Sequence, residues 1–180
     1  MKKLYIDIDG VLLTKGHVKA AEGALELIDY ALSHFDCYWL TTHCRNGDAS
    51  HSILKLERYY PPEIIDKLRK VKPTTWHTLK TEGIDFDSDF YWLDDWALEK
   101  EKKVLAQHRC YTNLIEVDLT QNDELLQVIR KLKMTIVDLN LEDNRGILNI
   151  RTMRRWLEPF KVVYRRFWPP IVYKSYTSVY

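Results

Sequence analysis

The chain has 180 residues, 46% hydrophobic and 29% charged, with a mean hydropathy of -0.37. That length suits one α/β domain with room for an appendage, and the composition supplies material for a buried core. The net charge of +1 excludes little, but it conceals an asymmetry. From Arg151 to Tyr180 seven basic residues face one acid, a net +6, which leaves −5 on the preceding 150 residues. The two parts are therefore expected to do different jobs.

Near the start, Lys2-Lys3 precede an apolar stretch that Asp7 and Asp9 interrupt, so no signal-peptide core is expected. No apolar run approaches the length that spans a bilayer. Cys37, Cys44 and Cys110 are odd in number and lack a ligand-pair spacing, which reads as reduced thiols. A cytoplasmic protein without a membrane partner is the resulting expectation.

In chain order, Leu4 to Ile8 reads as a short buried strand ended by Gly10. Ala20 to Leu32 has Ala21, Ala24, Leu25, Ile28 and Leu32 at helical spacing. Cys37 to Thr41 is a second apolar strand. Residues 48 to 70 look helical, with a stop and restart at Pro61-Pro62. Phe90 to Leu93 is a third strand, running into Asp94-Asp95. Ala97 to Gln107 reads as a charged surface helix, Tyr111 to Val117 as a fourth strand, and Asp123 to Lys133 as an amphipathic helix. The pattern weakens beyond Met134, although Ile171 to Tyr180 alternates like a strand. Residues 1–135 thus read as a core and 136–180 as a basic, aromatic-rich extension.

Strands alternating with helices imply an α/β fold with a mostly parallel sheet covered on both faces. Ligands of such sheets bind beyond the carboxyl ends of the strands. Asp7, Thr41 and Asp94-Asp95 each sit at such an end, so they are expected to converge. Carboxylates gathered at one place repel one another unless a cation neutralises them. An oxygen-only donor set suits a hard ion such as Mg²⁺. A carboxylate can also attack phosphorus, and a second one can move protons. The phosphoryl oxygens then need donors and positive charge, which Thr41 and a lysine before Asp94 would provide.

Asp7-Ile-Asp9-Gly-Val-Leu, Thr41 after an apolar strand, a lysine, and then Asp94-Asp95 resemble the four ordered motifs of the haloacid dehalogenase-like (HAD) phosphatases. The resemblance covers roughly residues 3 to 133. It implies a Rossmann-like three-layer sandwich with Asp7 as nucleophile and Asp9 as general acid/base. It further implies Thr41 as phosphate ligand and Lys80 as charge stabiliser. A Mg²⁺ ion would be held by Asp7, the Asp9 backbone carbonyl, Asp94 and Asp95. Lys72 is the alternative to Lys80, and Thr42 the alternative to Thr41. The Gly10 to Ala20 segment has room only for a small flap, and residues 43 to 90 are short for a cap fold. No large cap domain is expected, and an open site admits a large phosphorylated partner. Trp39-Leu-Thr-Thr-His43, with Trp76 before Lys80, is similar to small HAD domains of RNA-repair proteins.

Competing readings are defined by the same residues. A calcium loop would repeat its acids at alternating positions, and Thr14, Gly16 and Val18 do not. A response-regulator receiver domain would place its acidic pair first and its lysine last. Asp94-Asp95 also suit a helix N-cap, and His43 and His77 read as ordinary polar residues. Aromatics among the tail arginines suit nucleic-acid docking, packing or self-association alike, so the oligomeric state stays open. The expected activity is a magnesium-dependent phosphomonoester hydrolase acting through an aspartyl-phosphate on Asp7. A nucleic-acid end-processing phosphatase or phosphotransferase, and a non-catalytic metal-binding interaction domain, are the alternatives.

Overall fold

The computed structural model describes residues 1–143, with side chains through residue 135. The tail from Arg151 and the strand expected at Ile171 to Tyr180 lie outside the described residues. The chain divides into two units, Met1–Met134 and Thr135–Tyr180. The first unit carries the whole described sheet, and its last helix continues to Asp143.

Lys3–Ile6 forms β1, in which Leu4, Tyr5 and Ile6 are buried in succession. Neither face of this strand meets solvent, which is why its sequence is a continuous apolar run instead of an alternating one. It pairs with β2 (Asp36–Trp39) on one side and β3 (Phe90–Asp94) on the other. A short edge strand, β4 (Leu114–Glu116), pairs with β3. The sheet is open, ordered β2-β1-β3-β4, with every pair parallel. The architecture is α/β and Rossmann-like in this coarse sense.

The connections are α1 (Ala24–His34), α2 (Ser50–Leu56), α3 (Pro62–Leu68), α4 (Glu99–Gln107) and α5 (Glu124–Asp143). On one sheet face Tyr5, Leu40, Phe90 and Trp92 pack in a cluster with Leu105 of α4 and with Trp76 and Ile84. Leu4, Ile6, Cys37, Trp39 and Leu93 are buried as well. Their positions alternate with the first set, so they lie on the opposite face.

Several boundaries differ from the sequence expectation for local reasons. The first helix starts at Ala24 instead of Ala20, because Ala21 donates its N–H to the Leu12 carbonyl (2.8 Å). Gly23 then turns the chain at φ +78, where a Cβ would also press on Leu125. The buried stripe of α1 is Ala24, Leu27, Ile28 and Ala31, and Leu25 is exposed. The stop and restart at the prolines appear as the gap between α2 and α3, with Pro62 opening α3. Tyr111–Asn113 is a 3₁₀ turn, so the fourth strand shortens to Leu114–Glu116. The surface helix expected over Ala97 to Gln107 carries a buried acid, Glu101.

Between Asp9 and Ala20 the chain forms a tight loop closed by Asp9–Leu13 and Leu13–Ala20 bridges. The Tyr60 hydroxyl donates to the Leu12 carbonyl at 2.6 Å and so ties this loop to the segment between α2 and α3. Among the described residues no helix is long and apolar enough to cross a membrane. The three cysteines are free, and burial pushes the Cys37 thiol up to about 12.

Because the Leu12 carbonyl keeps its bond from Ala21, Tyr60→Phe is expected to remove one buried hydrogen bond and orphan nothing. The expected loss is about 1 kcal/mol in urea unfolding; a loss above about 3 kcal/mol would mean that the hydroxyl does more than anchor this loop.

Candidate active site at the carboxyl edge

In the order β2-β1-β3-β4 the chain leaves β1 toward one neighbour and later returns to the other. The gap between the ends of β1 and β3 is therefore the topological switch point, where open α/β sheets bind ligands. Ile6 stands opposite Leu93 in the register, so the next pair along is Asp7 and Asp94. The Asp7 N–H donates to the Leu93 carbonyl at 3.0 Å, which fixes the first of these residues.

Both carboxylates face the same cation. Lys80 Nζ lies 2.6 Å from Asp7 Oδ2 and 2.5 Å from Asp94 Oδ2. Asp94 is fully buried and also accepts from Trp92 Nε1 (3.1 Å) and from the Trp96 N–H (2.9 Å). Asp7 Oδ1 accepts from the Ile8 N–H at 2.6 Å. Asp95 joins them: one carboxylate oxygen from each of Asp7, Asp94 and Asp95 falls within 4.8 Å of the others. Lys15 pairs with Asp95 from the loop after β1. Gly10, at φ +81, brings its backbone against the same carboxylate, and any Cβ there would overlap it.

Three carboxylates against two ammonium groups leave a negative excess in a mostly buried place. Burial first, and the neighbouring Asp7 charge second, push the Asp94 carboxyl up to about 6, against the pull of Lys80. Burial pulls the Lys80 ammonium down, but Asp7 and Asp94 outweigh it and its pKa is raised. A divalent cation on the Asp7, Asp94 and Asp95 oxygens would relieve this excess, and the all-oxygen set suits a hard ion.

Lys80 is delivered by a loop that is itself anchored. Its N–H donates to Glu101 Oε1 at 2.7 Å, while the other Glu101 oxygen takes the Leu98 N–H at 2.8 Å. Glu82 receives the N–H groups of His77, Thr78 and Leu79. Lys72, the alternative lysine, lies elsewhere: its Nζ is 2.9 Å from Asp36, at the amino end of β2. Thr41 is fully buried two residues past β2, whereas Thr42 is exposed.

The Asp9 carboxylate stands apart from the three-carboxylate group. Lys55 Nζ reaches both of its oxygens, at 2.6 and 2.8 Å, and His43 Nε2 lies 2.8 Å from Oδ2. Lys55 and His43 are themselves 2.9 Å apart. A protonated Nε2 donates to Asp9, while an unprotonated one accepts from Lys55; the ring nitrogen serves one of these bonds at a time. Burial pushes Asp9 up, but Lys55 and then His43 outweigh it and hold the carboxyl below its ordinary value.

Sequence pattern gives His43 no special role and does not single out Lys55, Lys15 or Glu101. Lys55 sits on α2 among Ser52, Ile53 and Leu56, with no spacing that distinguishes it from a surface lysine. Lys15 falls in a polar loop, and Glu101 in a run of charges. The capping position of Glu101, three residues into α4, is the one signal the sequence offers. Neither protein-family models nor curated proteins nor solved structures match the chain.

Asp94 generates a testable pH dependence. Its folded carboxyl titrates near 6 against an ordinary value of 3.8, so across that window the folded protein holds a proton that the unfolded chain releases. Metal-free protein is thus expected to lose stability as pH rises through the window, by at most about 1.4 kcal/mol per pH unit. Asp94→Asn should flatten the slope, read from urea unfolding with chelator at several pH values; an unchanged slope would place the proton on another group.

Proposed function

We propose that the protein is a magnesium-dependent phosphomonoester hydrolase of the HAD type, acting through an aspartyl-phosphate on Asp7. The observation that carries the reading is the Lys80 ammonium shared between Asp7 and Asp94, with the Asp95 carboxylate beside them. A lone Asp-x-Asp turn would have no use for a buried lysine and two further acids. On this reading the sheet is the centre of a three-layer HAD-like sandwich. The short loop after β1 serves as a flap in place of a large cap, and residues 136–180 form an appendage. A cytoplasmic location belongs to the same reading.

Asp7 Oδ attacks phosphorus in line, and the bond to the leaving oxygen breaks. Asp9, which takes up a proton against the pull of Lys55 and His43 before this step, gives it to that oxygen. In the second half Asp9 takes a proton from water, which attacks the phosphorus of the aspartyl-phosphate and frees Asp7. The proton count closes over the cycle. Lys80 offsets the charge that develops between Asp7 and the phosphoryl oxygens, and Thr41 is assigned to hydrogen-bond them. Mg²⁺ held by Asp7, Asp94, Asp95 and the Asp9 carbonyl supplies positive charge at those oxygens when bound.

Asp7→Asn is expected to lower hydrolysis of p-nitrophenyl phosphate by at least about three orders of magnitude, with an unchanged far-ultraviolet circular dichroism spectrum. Chelation should silence the wild type and Mg²⁺ restore it. An Asp7→Asn variant with wild-type turnover would remove the nucleophile assignment.

A second reading, a nucleic-acid end-processing phosphatase, is favoured by Trp96. Its backbone N–H is tied to Asp94, while its side chain is among the most exposed large apolar groups, at 72%. An exposed indole beside a phosphoryl site offers a stacking face for a base. Trp96→Ala is then expected to raise KM for a 3′-phosphorylated oligonucleotide about tenfold, in line with one stacked base, and to leave phosphoserine hydrolysis unchanged. Equal effects on both substrates would count against nucleic acid.

A further inference from the structure

Two side chains bind Asp9 and neither belongs to the motif that contains it. Lys55 comes from α2, and His43 from the loop that leads from β2 toward α2. Asp9 comes from the loop after β1, so the contacts cross from one βα connection to the next. Lys55 Nζ spans both carboxylate oxygens at 2.6 and 2.8 Å, and His43 Nε2 closes on Oδ2 at 2.8 Å. The Asp9 side chain is 36% exposed. Without partners it would have solvent on one side and free rotation about its χ angles. An ion pair of this kind at the surface contributes little to stability, yet a two-oxygen grip from one cation fixes the plane of a carboxylate. The same loop that supplies His43 also carries Thr41, so the arrangement ties the Asp9 loop to the residue assigned to the phosphoryl oxygens.

We infer that Lys55 and His43 are positioning residues for Asp9, a clamp that holds its carboxylate in one orientation. This rests on the phosphatase reading above, because an orientation matters only if Asp9 handles a proton. Neither residue is required to touch substrate. Two features set the clamp apart from an ordinary surface pair. Lys55 is only 26% exposed and His43 29%, and both carboxylate oxygens are engaged.

The experiment compares wild type, Lys55→Met, Lys55→Arg, His43→Ala and His43→Gln on p-nitrophenyl phosphate with saturating Mg²⁺. Loss of orientation falls on turnover and leaves ground-state binding alone. Lys55→Met is expected to lower kcat about tenfold to a hundredfold with KM within about twofold. Lys55→Arg should recover much of the loss, since guanidinium also bridges two carboxylate oxygens. His43→Ala should show a smaller loss that His43→Gln partly restores through its amide donor. The melting temperature gained from Mg²⁺ should match wild type in every variant. The inference is overturned if Lys55→Met turns over at the wild-type rate, if KM rises in step with any loss, or if Lys55→Arg fares no better than Lys55→Met. If Lys55→Met does not fold, the His43 pair gives the same comparison with the same criteria. A wild type inactive on phosphate esters overturns the parent reading and the clamp together; an active wild type with an indifferent Lys55 overturns the clamp alone.

Discussion

Lys80 places one ammonium group against two buried carboxylates from adjacent strands, and the remainder of the site is arranged around that contact. Taking charges out of water is costly unless they are paired and hydrogen-bonded. Here the pairing is nearly complete: Asp94 has three donors, Asp7 has two, and the lysine spans the gap between them. Removing Lys80 would leave two like charges facing each other at the end of the sheet. Removing either acid would leave a partly paired cation. The lysine must therefore be delivered accurately, which explains why a buried acid, Glu101, is used to hold its backbone.

The contact follows from sheet topology. A parallel sheet with β1 between β2 and β3 sets the residue after β1 beside the last residue of β3, whatever those residues are. The sequence then puts an aspartate at both places. Gly10 lets the chain after Asp9 pass close to Asp95, and the loop beyond it returns Lys15 to the same acid. Backbone geometry thus creates a dense negative site, and nearby side chains stabilise it only in part.

Two carboxylates two residues apart end in opposite environments. The chain passes from Asp7, which faces the buried group, to Asp9, which is half-exposed and gripped by Lys55 and His43. On the far side of the same site, burial and Asp7 push Asp94 up, while Lys55 and His43 pull Asp9 down. Acids whose environments move their pKa values apart can take different chemical roles. The difference between these acids comes from their neighbours rather than from residue type.

The sequence by itself determined where the four described strands lie, the parallel α/β class and the meeting of Asp7 with Asp94-Asp95 at one edge, with Thr41 just past the end of β2. Those features are local: apolar runs of strand length, prolines that stop helices, and acids placed at strand ends. It preferred Lys80 to Lys72 on nearness to β3 and the Trp76 spacing alone, because both lie in the same connection. Tertiary structure decided between them by sending Lys72 to Asp36 at the other end of β2 and Lys80 to the buried acids. It also brought in Lys55, His43, Lys15 and Glu101, whose partners lie well away along the chain: Asp95 from Lys15, Asp9 from Lys55, Lys80 from Glu101, Lys55 from His43. No period or motif encodes such contacts, because they depend on where separate loops meet once the sheet has formed.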